Sequence, residues 1–257
     1  MPVAKVNGIN INYQIEGEGA PLMMIAGLGA DLSMWNPQVA AFKAHYKLIR
    51  FDNSGAGKSE KPAGPYSTKM MADDAVALLD ILRIEKAIVF GISMGGMIAQ
   101  EIAINYSQRV ARLLLGSSYA CQNHESGNTQ KAKEPLVLSG SKYVWGFMSL
   151  IFGNKLFALI FFLLRSFVRN KASADGYKGQ FAACLAHNAL DRLHLIKAPT
   201  LVIVGANDRL IRPSSSEVIV SKIPDAKLVM IDNGSHMVHF EMSKAFNGEV
   251  LKFLESQ

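Results

Sequence analysis

The chain has 257 residues, of which 49% are hydrophobic and 19% are charged, and this composition indicates a globular protein rather than a disordered one. The net charge of +6 comes from residues 117–198, which hold ten Lys or Arg and four Asp or Glu, because the 17 basic and 17 acidic residues elsewhere cancel. The opening MPVAKVNGIN lacks the pattern of a secretory signal, and Cys121 and Cys184 form no framework pattern, so we expect free thiols and a cytoplasmic location.

Predicted strands and helices alternate along both flanks of the chain. The first strands, AKVNG and ININ, form a predicted hairpin with Asn7-Gly8 at the turn. Further strands are predicted at PLMMIAG, KLIRF, AIVFG, VARLLLG, APTLVIVG and AKLVMID, and helices at KMMADDAVALLDILRI, MIAQEIAINY, SSSEVIVSKI and MSKAFNGEVLKFLE. Alternation with continuously apolar strands predicts an α/β fold in which helices cover both faces of a parallel sheet.

The loop FDNSGAGKSE, residues 51–60, ends like a nucleotide-binding phosphate loop. That motif requires glycine five residues before Gly57, and this position holds Asp52. Pro62 and Pro65 follow where the motif requires a helix. The spacing therefore argues against an ATPase or a kinase.

A second glycine-containing turn, GISMGG at residues 91–96, lies between a predicted strand and a predicted helix. It matches G-x-S-x-G in the context that this hydrolase motif requires. A side chain at Gly91 or Gly95 would crowd the neighbouring backbone in so sharp a turn. The helix N-terminus behind the serine favours negative charge. The pattern predicts Ser93 as a nucleophile.

A serine nucleophile needs a general base, and the base needs an orienting acid. Asp208 follows the strand APTLVIVG, and His236 follows the strand AKLVMID within a glycine-containing turn. Chemistry in parallel sheets gathers at the carboxyl ends of strands, where both residues fall. The chain order Ser93, Asp208, His236 is that of hydrolases with this serine motif.

Neighbouring residues offer alternatives for the acid and the base. Asn207 cannot supply a negative charge, and Asp232 is too close in sequence to His236 to face it from a separate strand end. His239 is an alternative base, but it lies one helical turn farther on, where we expect it to pack over the final helix. We therefore predict His236 as the base.

The reaction also needs donors for a developing oxyanion. The N–H of Met94, which follows the nucleophile, supplies one donor. The loop AGLGADLSMW after the strand PLMMIAG should supply the other, and the N–H of Leu28, between two glycines, is the candidate.

These residues resemble the α/β-hydrolase superfamily over essentially the whole chain, through GISMGG, GLGADLSMW, GANDRL and GSHMVHFE in the expected order. GLGADLSMWNPQ and APTLVIVGANDRLIRPSS resemble the esterase and lactonase branch that includes 3-oxoadipate enol-lactonases. The resemblance implies an α/β-hydrolase fold with a mostly parallel, eight-stranded sheet, helices on both faces and an inserted helical cap.

The chain departs from the superfamily pattern at three places. The family has D-x-R-G-x-G-x-S where this chain has DNSGAGKS, so residues 52–59 are expected to be a structural turn near the active-site rim, with Ser54 in place of arginine. Ala26 stands where the family often has histidine, and GSHM replaces the common GHxP pattern. These changes remove no catalytic group, but they border the expected pocket.

The resemblance implies a serine hydrolase of the carboxylesterase or lactonase type that cleaves small-to-medium apolar carboxylic esters or lactones. Ser93 argues against dehalogenases and epoxide hydrolases, which carry aspartate at this turn. Carbon–carbon bond hydrolases and perhydrolases share the triad, and some members of the fold are small-molecule receptors, so these alternatives stay open. No metal or organic cofactor is expected.

Residues 117–198 interrupt the alternation, and we expect them to form a helical cap inserted into a core domain of residues 1–116 and 199–257. Within YVWGFMSLIFG and KLFALIFFLLRSF, the candidate pocket residues are Trp145, Phe161 and Phe162. The longest uninterrupted apolar run, 156–164, is far shorter than the roughly 20 residues of a membrane span.

An alternative is a cap that contacts lipid, with Arg165, Arg169 and Lys171 facing anionic head groups. We expect a small-molecule ester or lactone as the partner, and neither nucleic acid nor a membrane.

Overall fold

The computed structural model describes residues 2–122, 150–154 and 174–256. Eight strands lie within these residues. They are β1 (Val3–Val6), β2 (Ile9–Glu16), β3 (Ala20–Ile25), β4 (Tyr46–Phe51), β5 (Ala87–Ile92), β6 (Val110–Gly116), β7 (Thr200–Gly205) and β8 (Ala226–Ile231).

The strands form one sheet in the order β1-β2-β4-β3-β5-β6-β7-β8. β2 is antiparallel to β1 and β4, whereas every pairing from β4 to β8 is parallel. This confirms the predicted mostly parallel, eight-stranded sheet. The carboxyl ends of β3, β5, β7 and β8 consequently lie at one edge, where the predicted site residues follow them.

Helices of the described chain occupy the connections between strands. They are the 3₁₀ helix Leu32–Trp35, α1 (Asn36–Phe42), α2 (Thr68–Ile81), α3 (Met94–Asn105), the 3₁₀ helices Ser107–Arg109 and Leu190–Leu195, α4 (Ala174–Ala186), α5 (Pro213–Lys222), α6 (Val238–Glu241) and α7 (Ser243–Glu255).

These helices cover both faces of the sheet because alternate residues of a strand point to opposite sides. In β3, Met23 and Ile25 belong to one hydrophobic core, which also contains the apolar residues of α2, α3 and α5. Leu22 and Met24 belong to the other core, with residues of α1 and α7. Burying an apolar side chain of this size stabilises the fold by roughly 1.5–3 kcal/mol.

The predicted hairpin at Asn7-Gly8 is confirmed. Val6 pairs with Ile9, and Asn7 and Gly8 both have positive φ, as a two-residue turn matching strand twist requires. The short helices Leu32–Trp35, α1, Ser107–Arg109 and α6 lie where the sequence predicts no element. Each is too short to show a helical hydrophobic period.

Cys121 and Cys184 are free thiols, as predicted. No helix within the described part of the chain has both the length and the apolar character that crossing a bilayer would require. Residues 123–149 and 155–173 lie outside the description, so the boundaries of the cap stay a prediction.

The loop after β4 is organised around the buried carboxylate of Asp52. Its Oδ1 accepts the N–H of Leu32 at 2.7 Å, and its Oδ2 accepts the side-chain amide of Asn12 and the N–H of Lys58, both at 2.8 Å. The Ser59 hydroxyl donates to the Asp52 carbonyl at 2.6 Å. The N–H of Lys58, which a phosphate loop would direct at a phosphate, donates instead to the carboxylate of Asp52. The stretch GAGKS is therefore a structural turn.

We expect Asp52→Ala to destabilise the fold markedly. The change leaves three donors without their acceptor, two of them buried and the N–H of Lys58 part-buried, and each buried unsatisfied group costs about 1–3 kcal/mol. Partial access of water reduces the sum, so we expect a loss of about 3 kcal/mol in the free energy of unfolding, measured by urea denaturation. Asp225→Ala, at an exposed carboxyl, is the control and should leave the midpoint unchanged. An unaltered midpoint for Asp52→Ala would refute this account of the loop.

Candidate active site

Ser93 occupies a strained turn between β5 and α3. Its backbone has φ 57° and ψ −122°, a conformation that L-residues rarely adopt. The glycines on either side permit this turn: a Cβ at Gly91 would lie 2.0 Å from the carbonyl oxygen of Gly95, and a Cβ at Gly95 would lie 2.0 Å from that of Ile25. The half-buried serine therefore stands at the carboxyl end of the sheet, at the N-terminus of α3.

Asp208 and His236 lie in the loops after β7 and β8, which touch through their glycines. A Cβ at Gly205 would lie 2.4 Å from the carbonyl oxygen of Gly234, so only glycine allows the two backbones to approach this closely. The N–H of Asn207 donates to the Gly234 carbonyl at 2.8 Å. This contact brings the two predicted residues within reach of each other.

A chain of hydrogen bonds joins the three predicted triad residues. His236 Nδ1 lies 2.8 Å from Asp208 Oδ2, and His236 Nε2 lies 3.2 Å from Ser93 Oγ. An ionised carboxylate only accepts, so Nδ1 carries the proton and Nε2 is free to accept from the serine hydroxyl. The side chains of Asp208 and His236 are almost wholly buried.

Backbone donors satisfy the other oxygen of Asp208. Its Oδ1 accepts the N–H groups of Leu210 and Ile211, both at 2.9 Å. The carboxylate is thus hydrogen-bonded on both oxygens and cannot rotate without losing partners. This holds the imidazole of His236 in one orientation and one tautomer.

The alternative base, His239, lies elsewhere. It is buried between Trp35 and Phe246 of α7, with ring centroids 6.3 Å and 6.1 Å away. Neither ring nitrogen has a hydrogen-bond partner among the described residues. Burial, with the neighbouring His236 as a lesser cause, lowers the pKa of His239 from 6.5 to about 3. His239 is therefore a neutral core residue, and it is not joined to Ser93.

The predicted oxyanion donors flank Ser93. Met94 is the first residue of α3, and the first N–H groups of a helix have no intrahelical acceptor. Residues 26–30, called the oxyanion loop below, follow β3, and a Cβ at Gly27 would lie 3.4 Å from Ser93 Cβ. Within the described residues the N–H of Leu28 has no hydrogen-bond acceptor, so both N–H groups are available near the hydroxyl.

A cavity of about 330 Å³ lies behind the loops of Asp208 and His236 rather than over Ser93. Its walls include Phe152, Asn207, Arg209 and Glu241. The Glu241 carboxylate accepts the N–H of Asn154 at 3.0 Å and pairs with the Ser235 hydroxyl beside His236. Glu241 thus ties residues 150–154 to the histidine loop, a link that no sequence motif indicates.

The predicted pocket residues Trp145, Phe161 and Phe162 lie outside the described residues. Asn207 and Asp232, considered above as alternatives, are exposed. In residues 2–122, 150–154 and 174–256, no group of three His, Cys, Asp or Glu side chains could hold a metal ion.

Comparison with known proteins agrees with the fold and the motifs. A family model described as the alpha/beta hydrolase fold matches residues 20–160 and 161–242, and the chain belongs to this family of hydrolases. RutD of Azorhizobium caulinodans, whose name designates a carbamate hydrolase, is 27% identical, with 98% of each chain covered. The 3-oxoadipate enol-lactonase 2 of Acinetobacter baylyi is 29% identical, with 94% of this chain and 92% of the relative covered.

A solved structure extends the likeness to three dimensions. The enol-lactonase from Burkholderia xenovorans LB400 superposes with a TM-score of 0.90 at 29% identity, and the match covers 99% of this chain and 100% of that one. The predicted resemblance to α/β-hydrolases with enol-lactonase relatives is therefore confirmed.

Burial of His239 makes stability depend on pH. Below pH 6.5 the unfolded chain protonates this ring, whereas the folded chain does so only near pH 3, so acid favours unfolding. His187, whose pKa burial lowers to about 4, acts in the same direction. We expect His239→Phe to reduce, but not abolish, the loss of unfolding free energy between about pH 7 and about pH 5 in urea titrations.

The matched control for this experiment is His45→Phe, which changes an exposed ring. His45→Phe should lose as much free energy of unfolding between about pH 7 and about pH 5 as the parent protein does. An equal acid-induced loss in His239→Phe and the parent would show that His239 is not buried as described.

Proposed function

We propose that this protein is a serine hydrolase that cleaves small-to-medium apolar carboxylic esters or lactones through an acyl-enzyme. The observation that carries the proposal is the hydrogen-bonded chain from Asp208 through His236 to the strained Ser93. A serine hydroxyl becomes an effective nucleophile when a neighbouring base takes its proton as it attacks.

In the first half of the reaction, His236 Nε2 takes the Ser93 proton while Oγ attacks the substrate carbonyl. Asp208 stabilises the imidazolium that forms, since its carboxylate already accepts from Nδ1. The imidazolium then gives its proton to the leaving alkoxide, and the acyl group stays on Ser93. In a lactone the leaving group remains tethered to the acyl chain.

In the second half, water attacks the acyl-enzyme with His236 again as the base. The carbonyl oxygen carries negative charge in both tetrahedral intermediates. The N–H groups of Leu28 and Met94 are the donors for that charge, and loss of one such donor typically costs about 3 kcal/mol of transition-state stabilisation. Every step uses groups of this chain and water alone.

The relatives support the ester and lactone assignment without specifying the substrate. Two of the proteins compared above are named as enol-lactonases, and one is named as a carbamate hydrolase. Carbamates are acyl compounds that the same addition and elimination steps would cleave. A carbon–carbon bond hydrolase or a receptor with this fold would carry the same three residues, so turnover must separate these functions.

The triad makes a direct prediction about activity on aryl esters. Ser93→Ala and His236→Ala should each lower kcat by several orders of magnitude, on the order of 10⁴-fold or more, because triad members act as a unit. His239→Phe should stay close to the parent enzyme. The measurement is initial rates with p-nitrophenyl esters, with circular dichroism to show that each variant is folded.

Reversed results for the two histidines would show that His239 is the base. Full activity of folded Ser93→Ala would refute the mechanism. An inactive parent enzyme whose Ser93 nonetheless reacts with a fluorophosphonate would favour the receptor alternative.

The predicted cap generates a second expectation about substrates. If Trp145, Phe161 and Phe162 line an acyl pocket, each buried CH₂ contributes about 0.8 kcal/mol, or roughly a fourfold gain in kcat/KM. We expect kcat/KM for straight-chain esters to rise with acyl length until the pocket is full. Initial rates on a panel of esters, lactones and carbamates, with and without anionic vesicles, would measure this dependence on acyl length. Vinylogous diketones are included as substrates for a carbon–carbon bond hydrolase.

A flat chain-length profile with strong activation by vesicles would contradict the pocket and favour the lipid-contacting cap. Faster cleavage of the diketones than of every ester would instead favour the carbon–carbon bond hydrolase.

A further inference from the structure

Gln180 of α4 joins two loops at the rim of the site. Its side chain is fully buried. Its Oε1 accepts the N–H of Gly29 in the oxyanion loop at 2.9 Å, and its Nε2 donates to the carbonyl of Ser54 at 2.8 Å. The amide therefore bridges the loop after β3 and the loop after β4. Because one backbone partner is a donor and the other is an acceptor, they fix the orientation of the amide oxygen and nitrogen.

The first turns of α4 pack directly against the same two loops. A Cβ at Gly176 would lie 2.2 Å from the carbonyl oxygen of Gly55, so the two backbones are in contact. A Cβ at Gly29 would lie 2.9 Å from the ring of Tyr177, one helical turn before Gln180. These contacts hold the Gln180 amide within hydrogen-bond distance of the Gly29 N–H and the Ser54 carbonyl.

The oxyanion loop is held on both sides of Leu28. The carbonyl of Gly27, in the same peptide unit as the Leu28 N–H, accepts from the N–H of Ala30 at 3.2 Å. Carbonyl and N–H point in opposite directions in a trans peptide. The following peptide unit is held through its Gly29 N–H by Gln180. With both units restrained, the Leu28 N–H has one direction in which to point.

We propose that Gln180 is a positioning residue that orients the oxyanion loop so that the Leu28 N–H faces the reacting carbonyl at Ser93. The inference rests on the proposed function, because it assigns Leu28 to oxyanion binding. Gln180 does not touch the substrate in this account. It acts through the peptide unit of Gly29.

The chemistry of the two partners explains why an amide suits this position. One partner is a donor and the other an acceptor, and a neutral side chain must satisfy both within hydrogen-bond distance. A carboxylate would accept from Gly29 but would face the Ser54 carbonyl with a negative charge. That charge would also oppose the oxyanion, so a neutral amide serves both loops and the reaction.

The test compares Gln180→Leu with a matched control, Gln100→Leu. Gln100 is also fully buried and donates to a backbone carbonyl, that of Tyr119, at 3.1 Å, but it does not contact the oxyanion loop. Removing an oxyanion donor outright costs about 10²–10³-fold in kcat, so misplacing one should cost Gln180→Leu about 10–100-fold in kcat/KM for aryl esters. Gln100→Leu should lose stability to a similar degree and keep its rate.

Inhibitor binding separates positioning from a general loss of structure. A trifluoromethyl ketone forms a tetrahedral oxyanion on the serine, whereas the corresponding alcohol does not. In Gln180→Leu the Ki of the ketone should rise by the same factor as kcat/KM falls, and the Ki of the alcohol should stay unchanged. Equal weakening of both inhibitors would overturn the proposal, since it would mean general damage to the site.

Gln180→Glu adds a readout in pH. A protonated carboxyl accepts through one oxygen and donates through the other, as the amide does. The kcat/KM ratio of Gln180→Glu to the parent should therefore rise by about tenfold as pH falls from about 8 to about 5, provided that both proteins stay folded. A ratio independent of pH, or parent-like activity of Gln180→Leu, would overturn the proposal.

These outcomes are distinguishable from failure of the proposed function. If folded Ser93→Ala keeps full turnover, the serine mechanism itself fails. If Ser93→Ala is inactive but Gln180→Leu matches the parent, the mechanism stands and only the role of Gln180 is wrong.

Discussion

The close approach of three backbone segments at Ser93 is the constraint on which the rest of the site depends. Gly91, Gly95 and the carbonyl of Ile25 are so near one another that a Cβ at either glycine would lie 2.0 Å from a carbonyl oxygen. The end of β3 is thereby pressed against the start of α3. This contact also brings together the two proposed oxyanion donors, because Leu28 comes just after β3 and Met94 begins α3.

Strain at Ser93 is balanced by hydrogen bonds to β6 and its following loop. The positive φ of a non-glycine residue costs roughly 1–3 kcal/mol. The Ser93 N–H donates to the Gly116 carbonyl at 2.8 Å, and the Ser118 hydroxyl donates to the Ser93 carbonyl at 2.9 Å. β6 lies between β5 and β7, so the strand that separates Ser93 from Asp208 also holds Ser93 in place.

Much of this arrangement could be predicted from sequence because local patterns encode it. G-x-S-x-G specifies a strand, a turn and a helix within a few residues, and Asp208 and His236 each follow an apolar strand. Contacts that span long distances in sequence carry no such pattern. Gly29 and Gln180 are 151 positions apart, and Gln180 lies in a helix whose sequence matches no motif. Asp52 belongs to the motif DNSGAGKS, but the three donors to its carboxylate come from separate segments.

Ser54, which stands where the family pattern has arginine, contributes hydrogen bonds through both its side chain and its backbone. Ser54 donates to the buried Asp74 carboxylate at 2.5 Å, and Asn7 donates to the other carboxylate oxygen at 3.0 Å, so two neutral groups bind this acid. The Ser54 carbonyl accepts from the side-chain amide of Gln180. The Gln180 bridge and the Asn53 side-chain amide, which donates to the Ala26 carbonyl, are both neutral. Among the described residues, the oxyanion loop is therefore held at both ends by neutral side chains. In the proposed mechanism, stabilisation of the oxyanion therefore falls to oriented backbone dipoles, whose effect depends on geometry and thus on the residues that hold the loop.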